Sequence, residues 1–442
     1  MHLVNSINKI YHIFRGVIML TAIAGINWGD EGKGRMVDLL SEDYDIVVRY
    51  QGGNNAGHTV VNERGKFILN LLPSGILRTT TVNVMGNGMV IDLKHLCEEM
   101  GRLRDGGIEI TPENLKISDR AVICMPYHVR MDCLEEERLA DKKFGSTRRG
   151  IAPVYADKYY KKAFRMGDLR NIDALASKAE SIAEWKNLTV ASGYGDTPVK
   201  GEDIIAYLRE YGVPLLPYVC DTGLYLHNAN EQGKKIMFEA QLGALRDIDF
   251  GIYPYTSSSN TIAGYAPVGA GVPGLKLDCV IGIMKAYSSC VGEGPFTCEM
   301  FGDEAHKLRE AGGEYGAATG RPRRVGGFDA VASRYGVRMQ GADVLALTKM
   351  DVLSCFDKIP VCVAYKVDGE LVYDFPVGEA LDKAEPVYEY YEGWGCDISG
   401  CRKFEELPAA AQDYVRKIEK LSGCRIGYVS VGAGREQYIV CE

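Results

Sequence analysis

The chain has 442 residues, 46% of them hydrophobic and 25% charged, the balance of a soluble globular protein with room for a large core. Its formal net charge of −8 leaves no sequence-wide basic field to recruit nucleic acid, and no apolar run reaches the ~18 residues of a membrane span. Thirteen cysteines without a CxxC pair read as reduced thiols of a cytoplasmic protein, not as a disulfide scaffold.

Residues 1–18 read as an N-terminal extension, with Met19 as an alternative start, and 19–442 as a single domain. "VIMLTAIAGI" (17–26) predicts a buried strand, "GRMVDLL" a helix start, and "DIVVRY" and "TVNVMGNG" further strands. "DLKHLCEEMGRLRDGG" spaces Leu93, Leu96, Cys97, Met100 and Leu103 along one helical face, closed by Gly106. Downstream, "GEDIIAYLREYG" and "AAAQDYVRKIEKLSG" have helical periodicity, whereas "DVLALTKMD", "IPVCVAYKV" and "CRIGYVSVG" read as strands. The alternation predicts an α/β fold, a large and mostly parallel central sheet flanked by helices. Polar, glycine-bearing stretches follow Ile26, Tyr50, Ala286, Leu347 and Val429. Ligands of open α/β sheets bind beyond strand carboxyl ends, so these loops converge on one composite site.

"NWGDEGKGR" (Asn27–Arg35) is the first such loop. Glycines between a strand and a helix offer backbone N–H groups and the helix dipole to phosphate, and Lys33 adds charge. It is not a Walker A loop, because Gly34 stands where that motif needs Ser or Thr. Asp30 would repel a phosphate, so its use is to bind Mg²⁺ or to accept a proton. "QGGNNAGHT" (Gln51–Thr59) sets His58 among amides and small residues, as a donor facing a ligand. "GAATGRPRR" (Gly316–Arg324) supplies three arginines, whose forks suit carboxylate and phosphate. "LTKMD" (Leu347–Asp351) matches the [NT]KxD guanine-reading segment of GTPases and favours GTP over ATP.

Together with "LPSGIL", "GNGMVID", "DIDFGIYPYTSSSNT", "KAYSSCVGEGPF" and "TGRPRRVGGFDAVA", these segments resemble the adenylosuccinate synthetase family from about Met19 to Ile439. The resemblance is to a somewhat divergent, bacterial-type member of these phosphate-loop-NTPase-like enzymes with long active-site loops. It implies a GTP-dependent ligase joining IMP to L-aspartate through 6-phosphoryl-IMP. It further implies that Asp30 takes the N1 proton of IMP and, with the carbonyl of Gly57, ligates Mg²⁺. Lys33 would contact phosphates, His58 would stabilise charge as GDP leaves, and Gln51 would polarise O6. GTP would lie along Gly29, Asp30, Glu31, Gly32, Lys33, Gly34 and Arg35, then Gly57, His58, Thr59 and Arg323. Its guanine would meet Lys349, Met350 and Asp351, flanked by Ser430, Val431 and Gly432. IMP would meet Asp30, Glu31, Gly32, Lys33, Asn55, Ala56, Gly57, His58, Thr147, Gln241, Ser257 and Arg321, with Lys161 supplied by the partner of a homodimer. Aspartate would be held by Ala317, Ala318, Thr319, Gly320, Arg321, Pro322 and Arg323.

Several positions depart from the family pattern. Arg35 replaces a Lys, Asn54 a His, Arg148 a Gly, Lys161 an Arg and Ser257 a Thr. Val431 loses a hydroxyl, and "FEAQLG" shifts an amide so that Leu242 aligns where a Gln is usual, with Gln241 beside it. Two alternatives follow: a related ligase taking another purine nucleotide such as dGMP, or a regulatory GTPase. The GTPase would need a Walker A hydroxyl and has no use for Asp30, His58 or the arginine loop.

Overall fold

The computed structural model describes residues 19–62, 65–142, 144–316, 320 and 322–441, so the 1–18 extension lies outside the described residues. Ten strands form the central sheet: β1 (Leu20–Gly25), β2 (Ile46–Arg49), β3 (Val82–Met85), β4 (Leu115–Ser118), β5 (Val219–Cys220), β6 (Ile236–Gly243), β7 (Cys279–Lys285), β8 (Val344–Thr348), β9 (Ile426–Ser430) and β10 (Tyr438–Val440). Their order is β10-β9-β8-β7-β1-β6-β2-β3-β4-β5. Every neighbouring pair is parallel except β9 with β10 at the edge. The α/β expectation holds.

Helices on both faces of a parallel sheet bury its strands twice over, which calls for continuous apolar runs. β1, β2, β7, β8 and β9 are accordingly buried at every position. Truncating Ile23 or Leu345, both fully buried, to alanine would cost about 2–5 kcal/mol. The strand in "IPVCVAYKV" belongs to a second sheet, where Lys358–Val367 pairs with Phe328–Asp329, Glu370–Val372 and Glu385–Glu392. The thirteen cysteines form no disulfide. Among the described residues no helix is long and apolar enough to cross a membrane.

Three differences from the sequence reading have local causes. "GEDIIAYLREYG" is an α-helix only over Gly201–Tyr207 and continues as a π-turn over Leu208–Gly212. Gly106 stays at φ −79°, and Gly107 at φ 78° takes the left-handed position that ends the preceding helix. β6 was not read as a strand at all, since "FEAQLG" puts a charge and an amide into its run. That strand separates β1 from β2, so the carboxyl ends of β9, β8, β7, β1, β6 and β2 stand side by side.

Candidate active site

The loop leaving β1 turns through left-handed backbone at Gly29 (φ 103°), Asp30 (φ 60°) and Gly32 (φ 97°). Gly32 caps helix α1 (Lys33–Leu40) without any side-chain hydrogen bond, which leaves the first-turn N–H groups uncovered by a capping side chain. Glu31 shapes the turn from inside, its Oε1 accepting from the N–H of Asn27 at 3.1 Å and of Gly29 at 2.8 Å. Its Oε2 pairs with Lys33 Nζ at 2.6 Å, and Lys33 is only 3% exposed. The two charges hold each other at the loop's floor. Asp30 points the other way, with a side chain 33% exposed and Arg323 Nη2 3.2 Å from its Oδ2.

A side chain at Gly34 would bring its Cβ within 2.7 Å of His58 Cβ, so glycine lets the histidine lie against the first turn of α1. His58 Nδ1 stands 2.5 Å from Glu239 Oε1. Ser74 completes the arrangement, donating its N–H to Oε2 at 2.8 Å and its hydroxyl to Oε1 at 2.5 Å. Burial opposes ionisation of Glu239, but His58, Arg49 and Ser74 hold it below the usual carboxylate range. Burial also pushes the imidazole of His58 down, against the pull of Glu239. A neutral imidazole beside an ionised Glu239 follows, with the proton on Nδ1 and the lone pair on Nε2.

The "QGGNNAGHT" loop is braced from behind. Gln51 Nε2 donates to the carbonyl of Gln241 at 2.8 Å, and Ser259 Oγ donates to Gln51 Oε1 at 2.9 Å. Ser257 extends this chain outward, 3.2 Å from Ser259 Oγ. Gln241 is fully buried and spends its amide N–H groups on the carbonyls of Gly53 and Asn70, at 2.8 and 3.2 Å. It is Leu242, at φ 59°, that lies against Gly29, 3.3 Å from the point where a Cβ there would stand. Asn54 is structural, its Nδ2 donating to Asp92 Oδ2 at 3.1 Å. Asn55, Ala56 and Gly57 are half-buried and Thr59 is exposed.

At the other side, Lys349 takes left-handed backbone (φ 61°) after β8 and donates to the carbonyl of Gly312 at 2.6 Å and to Glu314 Oε1 at 2.9 Å. Met350 is buried and Asp351 half-buried; burial pushes the carboxyl of Asp351 up, with Lys349 and Arg35 opposing. Arg35 reaches from α1 to the loop after β9, donating to Ser430 Oγ at 3.0 Å, to the carbonyl of Gly432 at 2.5 Å and to that of Gly434. Its guanidinium covers the Tyr438 ring at 4.4 Å. Ser430 and Val431 are buried beneath it. A lysine could not span these acceptors, which gives the departure at position 35 a physical reason.

Thr147 is exposed on a loop whose Ser146 hydroxyl and Gly150 N–H both bind the carboxylate of Asp132, at 2.6 and 2.8 Å. Lys161 ends Ile151–Tyr160 in left-handed backbone (φ 62°), facing outward beside Tyr159 and Tyr160, 72% and 65% exposed. Ala317, Ala318, Thr319 and Arg321 lie outside the described residues. Gly320 and Pro322 are exposed, and Arg323 is half-buried.

Glu31 at the loop floor was among the residues expected at the site; Glu239, Ser74, Lys285 and Glu314 were not. Each of the four is a buried partner of an expected residue or of its neighbour; Glu239 and Lys285 lie within strands, and Ser74 and Glu314 stand beside glycines in segments where nothing singles out their own side chains. For Glu239 and Lys285 a signal was available, charge placed inside an otherwise apolar strand, as in "FEAQLG" and "IGIMKAY".

The sequence profile of the adenylosuccinate synthetase family matches residues 22–439. The adenylosuccinate synthetase of Caldanaerobacter subterraneus subsp. tengcongensis is 46% identical, over 95% of this chain and 99% of its own. That of Streptococcus gordonii is 44% identical, over 95% and 97%. The fully ligated adenylosuccinate synthetase structure from Plasmodium falciparum superposes with a TM-score of 0.89 at 37% identity, covering 96% of this chain and 100% of that one. The succinoaminodeoxyadenylate synthetase of cyanophage S-2L, bound to dGMP and dATP, shares the fold at a TM-score of 0.59 and 19% identity, covering 96% and 95%. Matched along nearly its whole length, the chain belongs to the adenylosuccinate synthetase family.

Proposed function

We propose a division of labour among these residues for the family's reaction, in which IMP, L-aspartate and GTP give adenylosuccinate, GDP and phosphate. The observation that carries it is the seating of His58 on Gly34, which joins the phosphate loop to the histidine loop. O6 of IMP is a poor leaving group, and phosphorylation makes it a good one. Asp30, whose carboxylate projects from the loop, accepts the N1 proton, so that O6 attacks the γ-phosphate and GDP departs. The aspartate amine then forms the bond to C6 as phosphate leaves, and the nitrogen gives up its extra proton.

The N–H groups of Asp30 to Arg35 cradle the GTP phosphates with Gly57 and Thr59, Gly29 turns the loop around them with its own N–H held by Glu31, and Lys33 contributes charge from the loop floor. His58 answers the charge that develops on the leaving GDP. Lys349 and Asp351 read the guanine beside Met350, with Ser430, Val431 and Gly432 against the base. Asn55, Ala56, Gly57, Thr147 and Ser257 line IMP with Glu31, Gly32 and Arg321, and Gln51 stands behind O6. Gln241 supports that wall through Gly53, and Leu242 takes the place facing Gly29. Ala317 to Arg323 hold aspartate.

The carboxylate of Asp30 and the carbonyl of Gly57 are hard oxygen donors, the kind Mg²⁺ takes. Among the described residues no cluster of three His, Cys, Asp or Glu forms a cage, in keeping with an ion that keeps waters and substrate phosphates as ligands. When bound, Mg²⁺ supplies neutralisation of phosphate charge. The outward-facing Lys161, next to the exposed Tyr159 and Tyr160, supports a homodimer in which it reaches the partner's IMP site. Thirteen thiols without a disulfide support a reducing, cytoplasmic setting.

Asp30→Asn tests the assignment. Synthesis is expected to fall by at least about a thousandfold, the scale of a lost proton acceptor, while GTP binding is still detected by calorimetry. Near-wild-type synthesis would overturn it.

A further inference from the structure

Glu314 sits at the stem of the arginine loop. Its carbonyl accepts the N–H of Arg323 at 2.9 Å, and Tyr315 bridges to Pro322 across the same stem. Its side chain is fully buried and gathers three cations. Oε2 receives Arg323 Nη1 at 2.8 Å, while Oε1 receives Lys285 Nζ at 2.7 Å and Lys349 Nζ at 2.9 Å. The Tyr287 hydroxyl donates to Oε1 at 2.5 Å. Arg323 turns its other terminal nitrogen to Asp30. One buried carboxylate therefore touches the residue at the guanine end and the residue beside the proton acceptor.

We propose that Glu314 is a positioning residue that couples the two ends of the site, setting Lys349 for guanine and Arg323 for the aspartate and phosphate end through one carboxylate. The inference rests on the roles given above to Lys349 and Arg323. Burial alone would neutralise Glu314, yet Lys285, Lys349 and Arg323 hold it well below the usual carboxylate range. The arrangement is therefore ionic. Lys285 is the fixed counter-charge: it is buried at the end of β7, and its second hydrogen bond goes to Ser289 Oγ at 2.6 Å. Without the carboxylate, three cations would repel one another within a few ångströms. Among the described residues, Arg323 would keep Asp30 as its acidic partner and Lys349 would keep the carbonyl of Gly312.

The test uses Glu314→Gln, which keeps the shape and removes the charge, in the full-length enzyme. With IMP saturating, KM for GTP and KM for aspartate are each expected to rise at least about tenfold, the factor given by 1.4 kcal/mol. KM for IMP should move by less than about twofold on the same scale, and Glu314→Asp should recover part of both losses. A fall in kcat alone, with both KM values unchanged, would overturn the proposal, because a merely structural residue behaves that way. Should Glu314→Gln not fold, Lys349→Gln gives an independent reading. Released from Glu314, it is expected to raise KM for aspartate about fivefold in addition to KM for GTP, and an unchanged aspartate KM would overturn the coupling. Arg323→Ala and Lys349→Gln also separate the two levels. If neither moves any KM, the assigned roles fail. If both do and Glu314→Gln does not, those roles stand and the coupling is wrong.

Discussion

Glu239 and Glu314 are both fully buried carboxylates at the edge of the same site, and they do opposite work. Glu239 serves one imidazole and one serine and keeps a histidine oriented at 2.5 Å. Glu314 serves two lysines, an arginine and a tyrosine hydroxyl. Burial is the same for both; the partners decide whether the acid aims a donor or balances a cluster of charge. A buried acid is therefore read from what surrounds it, not from its depth.

The comparison breaks first at Glu239. Replacing it by Gln leaves His58 without an ionised partner at Nδ1, and kcat should fall about a hundredfold to ten-thousandfold, the range seen when a histidine loses its orienting carboxylate. Steady-state assays measure it, and a Glu239→Gln enzyme within about twofold of wild type would remove the distinction between the two acids. Gly34→Ala attacks the same histidine from the helix side. Its new Cβ would stand 2.7 Å from His58 Cβ, and a displacement of about 1 Å at a catalytic group costs up to about a hundredfold. The effect should appear in kcat, together with a melting temperature lowered by overpacking, which costs about 1–3 kcal/mol.

A protonation measurement sharpens the contrast further. With its imidazole pushed below the ordinary 6.5 by burial, free His58 is neutral at pH 7.5, and its Nε2 cannot donate to phosphate until it gains a proton. Nucleotide anions favour that charged form. Calorimetry in buffers of different ionisation enthalpy should therefore show uptake approaching one proton as GTP binds in the presence of IMP. The uptake should vanish in His58→Asn. The sign for stability runs the same way: the folded state binds this proton less readily than the unfolded chain, so stability is lost as pH falls through 6.5. The smallest effect belongs to Arg35→Lys. It removes a fork spanning three acceptors in the Ser430–Gly434 loop, worth about 1 kcal/mol, and should raise KM for GTP about fivefold without touching KM for aspartate. An equal rise for aspartate would tie the loop after β9 to the far end of the site as well.

Much of the frame was legible because parallel strands and glycine loops leave local marks. Unbroken apolar runs signalled β1, β2, β8 and β9, and the turns after them carried Gly29, Gly32 and Gly52, each with positive φ in the structure. What stayed hidden was partnership across long sequence separations. Glu239 meets His58 from 181 residues away, and Glu314 meets Lys349 from 35, distances over which periodicity says nothing. Arg35 was visible as a departure without a cause, since its acceptors lie almost 400 residues further on, at Ser430 and beyond. Gln241 looked suited to face a ligand, whereas the alternation of β6 turns it inward toward Gly53 and leaves Leu242 at Gly29.

In the proposed mechanism Asp30 starts the reaction by making O6 of IMP a nucleophile toward GTP. Positional isotope exchange tests it directly, using GTP labelled with heavy oxygen in the β–γ bridge, with IMP and Mg²⁺ present and aspartate withheld. Scrambling of the label by the wild-type enzyme is expected and should require IMP, with none by Asp30→Asn although it still binds GTP. Scrambling without IMP, or scrambling that survives in Asp30→Asn, would contradict it.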